Sequence, residues 1–253
     1  MVMFIDGVGA ASYVLVAVVA FAASLLGGIT GYGTGLLLPP VLIPIVGAEL
    51  VVPIISLSAL MTNASRVTAF RTEFDRRTAI LIAAVALPTC FMGAYFYTRL
   101  SGPAVTLLIG IMLVLLVPLR RVLKRVRGHL SRSQVAAAAV GYGLITGSTS
   151  GAGVLLLSIL LAAGLQGAAV IATDAGISLV LGLAKVLVFQ SAGSLPPSAW
   201  IMALLIGVSA LPGAFLAKRL TRGLSHTAHA RILDGVVVFG GLLLIRQGTQ
   251  ALL

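Results

Sequence analysis

The stretch Gly27 to Pro40, GGITGYGTGLLLPP, sets five glycines, two threonines and a tyrosine inside a long apolar tract. Lipid offers no water to an opened backbone. Glycine-rich, non-helical chain at membrane depth is therefore tolerated only where it is buried in protein or lines a cavity. The pattern recurs. In Gly143 to Leu156, GLITGSTSGAGVLL, the positions Gly143, Ile145, Thr146 and Gly147 repeat Gly27, Ile29, Thr30 and Gly31. After a two-residue insertion, Gly151 and Gly153 repeat Gly33 and Gly35. Paired interruptions at matching points in two halves of an apolar chain point to a transporter's binding site.

Composition agrees with that setting. Of 253 residues, 59% are hydrophobic and 9% charged, against roughly 25% charged in a soluble domain. A mean hydropathy of +1.15 marks a polytopic membrane protein. The start, MVMFID, lacks the basic region and small-residue cleavage site of a secretory signal, so the whole chain is expected to be mature. The lone Cys90 excludes a disulfide framework within one chain. The net charge of +11 is concentrated: fourteen of seventeen Lys and Arg residues fall in windows 66–77, 120–132 and 218–231. Windows 120–132 and 218–231 hold no aromatic, and 66–77 holds only Phe70 and Phe74, short of the interleaved aromatics of a nucleic-acid surface. Short basic loops between apolar spans are a topology signal instead, so nucleic acid is not an expected partner.

The pattern predicts an all-α polytopic protein built from two inverted-topology repeats, each a glycine-broken hairpin followed by three transmembrane helices. The first repeat, 1–119, holds the hairpin 11–46 and spans 50–66, 78–98 and 103–119. A basic cytoplasmic linker, 120–133, follows. The second repeat, 134–253, holds the hairpin 134–164 and spans 166–190, 197–217 and 230–247. Leu36 to Val46 runs 11 residues, short of the roughly 20 that a bilayer core demands. The duplication has a period of about 120 residues: Arg66 falls on Lys185, Gly93-Ala94 on Gly213-Ala214, and Arg99-Leu100 on Arg219-Leu220. Placing all three basic windows in the cytoplasm makes the first hairpin enter from outside and the second from the cytoplasm. Each broken pair is read as a hairpin, the alternative being one kinked span.

The repeated glycine breaks, the duplication and the basic central loop resemble the TauE/SafE family of bacterial membrane transporters over residues 20–247. The resemblance implies export of sulfite, sulfonates such as sulfoacetate, or another small organic anion across the bacterial inner membrane. The chain departs from that family's break pattern, with Gly33-Thr34-Gly35 in the first half and Gly151-Ala152-Gly153 in the second.

The residues themselves support anion chemistry. Each break opens a short helix, one starting near Leu36 and the other near Val154, whose unpaired N–H groups and dipole favour an anion. Candidate substrate-binding residues are Thr30, Gly31, Gly33, Thr34 and Gly35 at the first break, and Thr146, Gly147, Ser148, Thr149, Ser150 and Gly151 at the second. The competing reading of these small residues is close helix packing. Arg66 and Lys185, equivalent in the two halves, complete the set, with Asn63 one turn before Arg66 on the same face. Lys185 lies inside a span, where a charge costs at least ~2.5–3.5 kcal/mol; snorkelling to the interface is its alternative. Arg66, beside a basic loop, is also consistent with an ordinary topology residue. Asp174 is the candidate for proton coupling, or else bonds to Thr173 or a hairpin tip. It lies 11 residues before Lys185 on the same face, roughly 16 Å away along the axis. Glu73 and Asp75 read as solvated charge balance in a basic loop.

Catalysis finds no support. His129, His226 and His229 all fall in basic windows, away from the GSTSGAG serines, and no H-E-x-x-H or nucleotide-binding G-x-x-x-x-G-K-[ST] is present. The expectation is a multi-pass secondary transporter without cofactor or metal, coupled to a proton or sodium ion if coupled at all. Its partners are a small anion and the lipid bilayer, and it is compatible with a homodimer. The rival is a membrane scaffold or assembly factor, or a transporter of a different small metabolite.

Overall fold

The computed structural model describes residues 8–30, 34–125, 130–220 and 226–252; side chains within 26–30, 120–125, 214–215, 217–220, 226–233 and at 236 lie outside that description. Among the described residues there are eleven α-helices, one 3-10 turn and no strand. They are α1 (Ala10–Thr30), α2 (Thr34–Leu37), α3 (Pro39–Val46), α4 (Ala48–Ala69), α5 (Arg76–Tyr97), α6 (Gly102–Arg125), α7 (Arg132–Ser148), α8 (Gly153–Ala162), α9 (Ala168–Ser191), α10 (Pro197–Leu220) and α11 (His226–Leu252). The helices α4, α5, α9 and the Gly102–Leu119 part of α6 are long and apolar enough to cross a membrane; the parts of α10 and α11 described in full are shorter apolar segments. Large apolar side chains such as Val14, Ile80, Met92, Leu187 and Phe239 are exposed all around the molecule, a surface suited to lipid rather than water.

Several boundaries differ from the sequence expectation, for physical reasons. Helix α1 continues through Gly27–Thr30 and α7 through Gly143–Ser148. The second break is therefore confined to Thr149–Ala152, while in the first the unassigned positions are 31–33, outside the described residues. Without water, a backbone stays helical as far as it can, and glycine there serves packing. A Cβ on Gly147 would lie 2.9 Å from Ala94 N, and one on Gly143 would collide with Ala86 and Thr89 of α5. The expected half-helix Leu36–Val46 is divided at Leu38, because Pro39 and Pro40 supply no N–H to carry the ladder through. Leu38 keeps helical dihedrals and its carbonyl accepts from Leu42 N at 2.8 Å, so the chain bends without unfolding. Helix α6 runs on into the basic segment as far as Arg125.

Polar signals set the starts of two other helices. At α7, Ser131 Oγ accepts from Gln134 N at 3.4 Å while Ser131 N donates to Gln134 Oε1 at 2.9 Å. This reciprocal box stabilises a helix start by about 1 kcal/mol. At α5, Asp75 Oδ1 accepts from Thr78 N at 2.8 Å, and Asp75 N donates to Thr173 Oγ1 at 3.1 Å. Asp75 is therefore a half-buried cap tying the loop to α9, not solvated charge balance.

Packing centres on α4 and α9, which lie against each other. Helix α5 packs on both α7 and α9, α10 on both α1 and α4, and α6 on α11. Glycines let these pairs approach closely. A Cβ on Gly93 of α5 would lie 3.0 Å from Ser148 N of α7, and one on Gly213 of α10 would lie 2.7 Å from Phe21 O of α1. Helix α9 is the most enclosed of the four long apolar helices, burying Asp174 and Lys185 along with Ile177, Leu181 and Phe189. Beyond Lys185 the interior closes around Tyr97, whose hydroxyl donates to Ala48 O at 2.8 Å and whose ring meets Phe189 edge-on at 5.6 Å.

Candidate functional site

The two breaks meet. A Cβ on Gly35 would lie 2.8 Å from Gly151 N, and Gly151 itself sits at φ +84° with Leu36 packed against it. Only glycine meets both demands at position 151, since a side chain is disfavoured at positive φ and would collide with Leu36. Beside this contact lies a cavity of about 190 Å³ bounded by the breaks, α4, α7 and α9.

Of the residues singled out in the sequence, Thr34, Gly35, Asn63, Arg66, Thr146, Thr149, Ser150, Gly151, Asp174 and Lys185 all line this cavity. Gly147 and Ser148 do not: Gly147 packs on α5, and Ser148 Oγ donates to Leu144 O at 3.0 Å within its own helix. Gly31 and Gly33 lie outside the described residues, as does the side chain of Thr30, so these three positions are not placed. The same holds for His129 and for the side chains of His226 and His229.

The three ionised groups of the cavity are held differently. Lys185 is 6% exposed, and its Nζ donates to Thr149 O at 3.0 Å, a backbone carbonyl of the second break. It does not snorkel; it points to the break. Arg66 bonds to Asp174 across the α4–α9 contact, Nη2 to Oδ2 at 3.0 Å, and its Nη1 donates to Asn63 Oδ1 at 3.4 Å. The Arg66 side chain is one-third exposed and Asp174 nearly enclosed, so this pair stands at the end of the cavity nearest the 71–75 turn. Asp174 therefore pairs with an arginine of the other half and not with Thr173, whose hydroxyl serves Asp75.

Among the described residues, two buried side-chain polar atoms lack a hydrogen-bond partner: Ser150 Oγ and Asp174 Oδ1. Leaving such an atom unsatisfied costs about 1–3 kcal/mol, so both are positions where a ligand or proton gains. Ala152 and Gly153 bring the uncapped start of α8 to the same wall. The free N–H groups of that end, Ser150 and Lys185 together favour a small anion.

Sequence reasoning passed over Ser56, Thr62, Tyr142 and Ser178, which also line the cavity. Tyr142 is buried and faces the cavity together with Thr146 and Ser178. The signal was helical spacing. Ser56, Asn63 and Arg66 share one face of α4, as Asp174, Ser178, Leu181 and Lys185 share one face of α9.

A protein-family model described as sulfite exporter TauE/SafE matches residues 16–244. No curated protein and no solved structure matches the chain. The match and the apolar helices together mark a multi-pass membrane protein of transporter type.

Proposed function

The chain belongs to the sulfite exporter TauE/SafE family, and on that premise we propose that it exports a small sulfur-containing anion from the bacterial cytoplasm across the inner membrane. Sulfite, sulfoacetate or a related organosulfonate binds where the two breaks meet. The observation that carries this reading is Lys185: a buried cation, without a carboxylate partner among the described residues, held at the second break beside an unpartnered Ser150 hydroxyl. A charge so placed is costly unless something negative visits it.

Alternating access follows from the proposed inverted repeat. Helix packing supports two equivalent halves. Exchanging α1 with α7, α4 with α9, α5 with α10 and α6 with α11 turns the α5–α7 contact into α10–α1 and the α5–α9 contact into α10–α4. It leaves α4–α9 and α6–α11 unchanged. Substrate at the α4–α9 seam is then reached from either side as the halves move.

The test is thermal stabilisation of the purified protein by sulfite, sulfoacetate, methanesulfonate, small carboxylates and chloride. A ligand of the folded state at one hundred times Kd stabilises by about 2.7 kcal/mol. A shift selective for sulfur oxyanions supports the reading. Shifts with carboxylates alone point to a different metabolite, and a chain that no anion stabilises fits a scaffold instead.

A further inference from the structure

We propose that Arg66 is a masked anion ligand: the Asp174 carboxylate occupies it at rest, and a proton taken up at Asp174 releases it to the incoming anion. This deepens the transporter reading above and rests on it.

The geometry supplies each part. Arg66 and Asp174 close one end of the cavity that holds Lys185 at the other, and both line it. The pair uses only one carboxylate oxygen. Asp174 Oδ2 meets Arg66 at 3.0 Å, while Oδ1 is buried, unpartnered and open to a proton. The Arg66 side chain, one-third exposed, retains room to turn from the carboxylate toward the cavity, and Asn63 at 3.4 Å steadies the guanidinium meanwhile.

Neighbouring groups leave Asp174 as the proton's destination. From α4 it faces Arg66 and Asn63, and from α7 it faces the buried Tyr142. Helix α8 carries no ionisable side chain. On α5 the buried ionisable groups are Cys90, which turns to Leu181 O, and Tyr97, whose hydroxyl donates to Ala48 O. Arg71, Glu73, Arg76 and Arg77 of the adjoining turn and helix start are exposed, and the half-buried Asp75 is occupied as the α5 cap.

Charge accounting gives the consequence. At rest the cavity holds Lys185, Arg66 and Asp174, a net of one positive charge, of which Lys185 is the part free of an ionic partner. When Asp174 takes a proton from solvent, the net becomes two positive charges with both cations available. The cavity then holds an anion more tightly, and a doubly charged anion without residual imbalance. Anion and proton therefore bind together. By linkage, lowering the pH strengthens anion binding, by up to about tenfold per pH unit for one coupled proton.

Isothermal titration of methanesulfonate into the purified full chain tests this, because that anion stays singly charged throughout. The titration is run between about pH 5 and about pH 8 in buffers of different ionisation enthalpy. The expected result is affinity rising toward low pH, with close to one proton taken up per anion. Asp174→Asn should bind more tightly than wild type near neutrality, with the pH slope abolished. Anion binding with no proton uptake and a flat pH profile in the wild-type protein overturns the proposal while leaving the transporter reading intact. So does an Asp174→Asn protein that keeps the wild-type slope. Should Asp174→Asn fail to fold, the wild-type proton count decides alone. Absence of binding by any sulfonate at any pH defeats the transporter reading first, and this inference with it.

Discussion

The two glycine breaks differ in how each holds its cation. At the second, a defined turn at Thr149–Ala152 leads into a ten-residue helix, and its cation, Lys185, is bonded to backbone of the break itself. At the first, prolines divide the following segment into a four-residue turn and a separate helix. The cation at the matching position, Arg66, bonds instead to the Asp174 carboxylate of α9. Position 66 and position 185 thus hold the same charge under different control, one by a neutral carbonyl and the other by a carboxylate. On the proposed inverted repeat, two matching cations flank a central seam, and the proposed proton uptake at Asp174 would release one of them.

The largest effect should come from the contact between the breaks. Gly151→Ala places a side chain at φ +84° against Leu36. Conformational strain of about 1–2 kcal/mol and overpacking of about 1–3 kcal/mol should lower stability by roughly 3 kcal/mol. Gly153→Ala, two residues on, has open space around its Cβ and should be neutral or gain about 0.5 kcal/mol. Thermal unfolding of the pair checks both, and equal losses would break the assignment of the contact.

Next in size is the cross-half ion pair. Arg66→Ala strands an enclosed carboxylate and should cost about 2 kcal/mol, below the roughly 3–5 kcal/mol of a fully buried pair because Arg66 is partly exposed. Asp174→Asn should cost less, since a neutral amide needs no counter-charge. The reverse order in denaturant or thermal unfolding would contradict the picture of Arg66 serving Asp174.

Lys185→Met keeps the volume and removes the charge. Its stability should change by about 1 kcal/mol or less, because the lost bond to Thr149 O is offset by a charge no longer buried. Anion stabilisation, by contrast, should vanish, which separates binding from folding. The smallest effect on binding is that of Ser150→Ala. Its hydroxyl has no partner in the free protein, so stability should rise by about 1 kcal/mol as the unsatisfied group is removed, while sulfite affinity should fall about fivefold, the worth of roughly one hydrogen bond.

Much of this was legible in the sequence, for identifiable reasons. A chain that breaks its own apolar helices at two matching points declares both the fold class and the neighbourhood of the cavity, because lipid penalises such breaks anywhere else. Lys185 was legible because an intramembrane lysine is rare. The Arg66–Asp174 partnership was not, since residues 108 positions apart reveal no contact without a register between α4 and α9. Nor was the division of labour among the glycines. Gly143 and Gly147 pack against α5 whereas Gly151 turns the chain, yet all three belong to one glycine-rich motif, and only the neighbour's position tells them apart. Asp75 was misread for a similar reason: a helix cap and a solvated loop acid look alike until the helix start is located.

The most direct test of the central claim is efflux of labelled sulfite from proteoliposomes containing the purified chain. The account predicts saturable efflux above that of empty vesicles, lost in Lys185→Met protein that folds as well as wild type. Efflux no faster than from empty vesicles, or wild-type efflux in Lys185→Met, would contradict it.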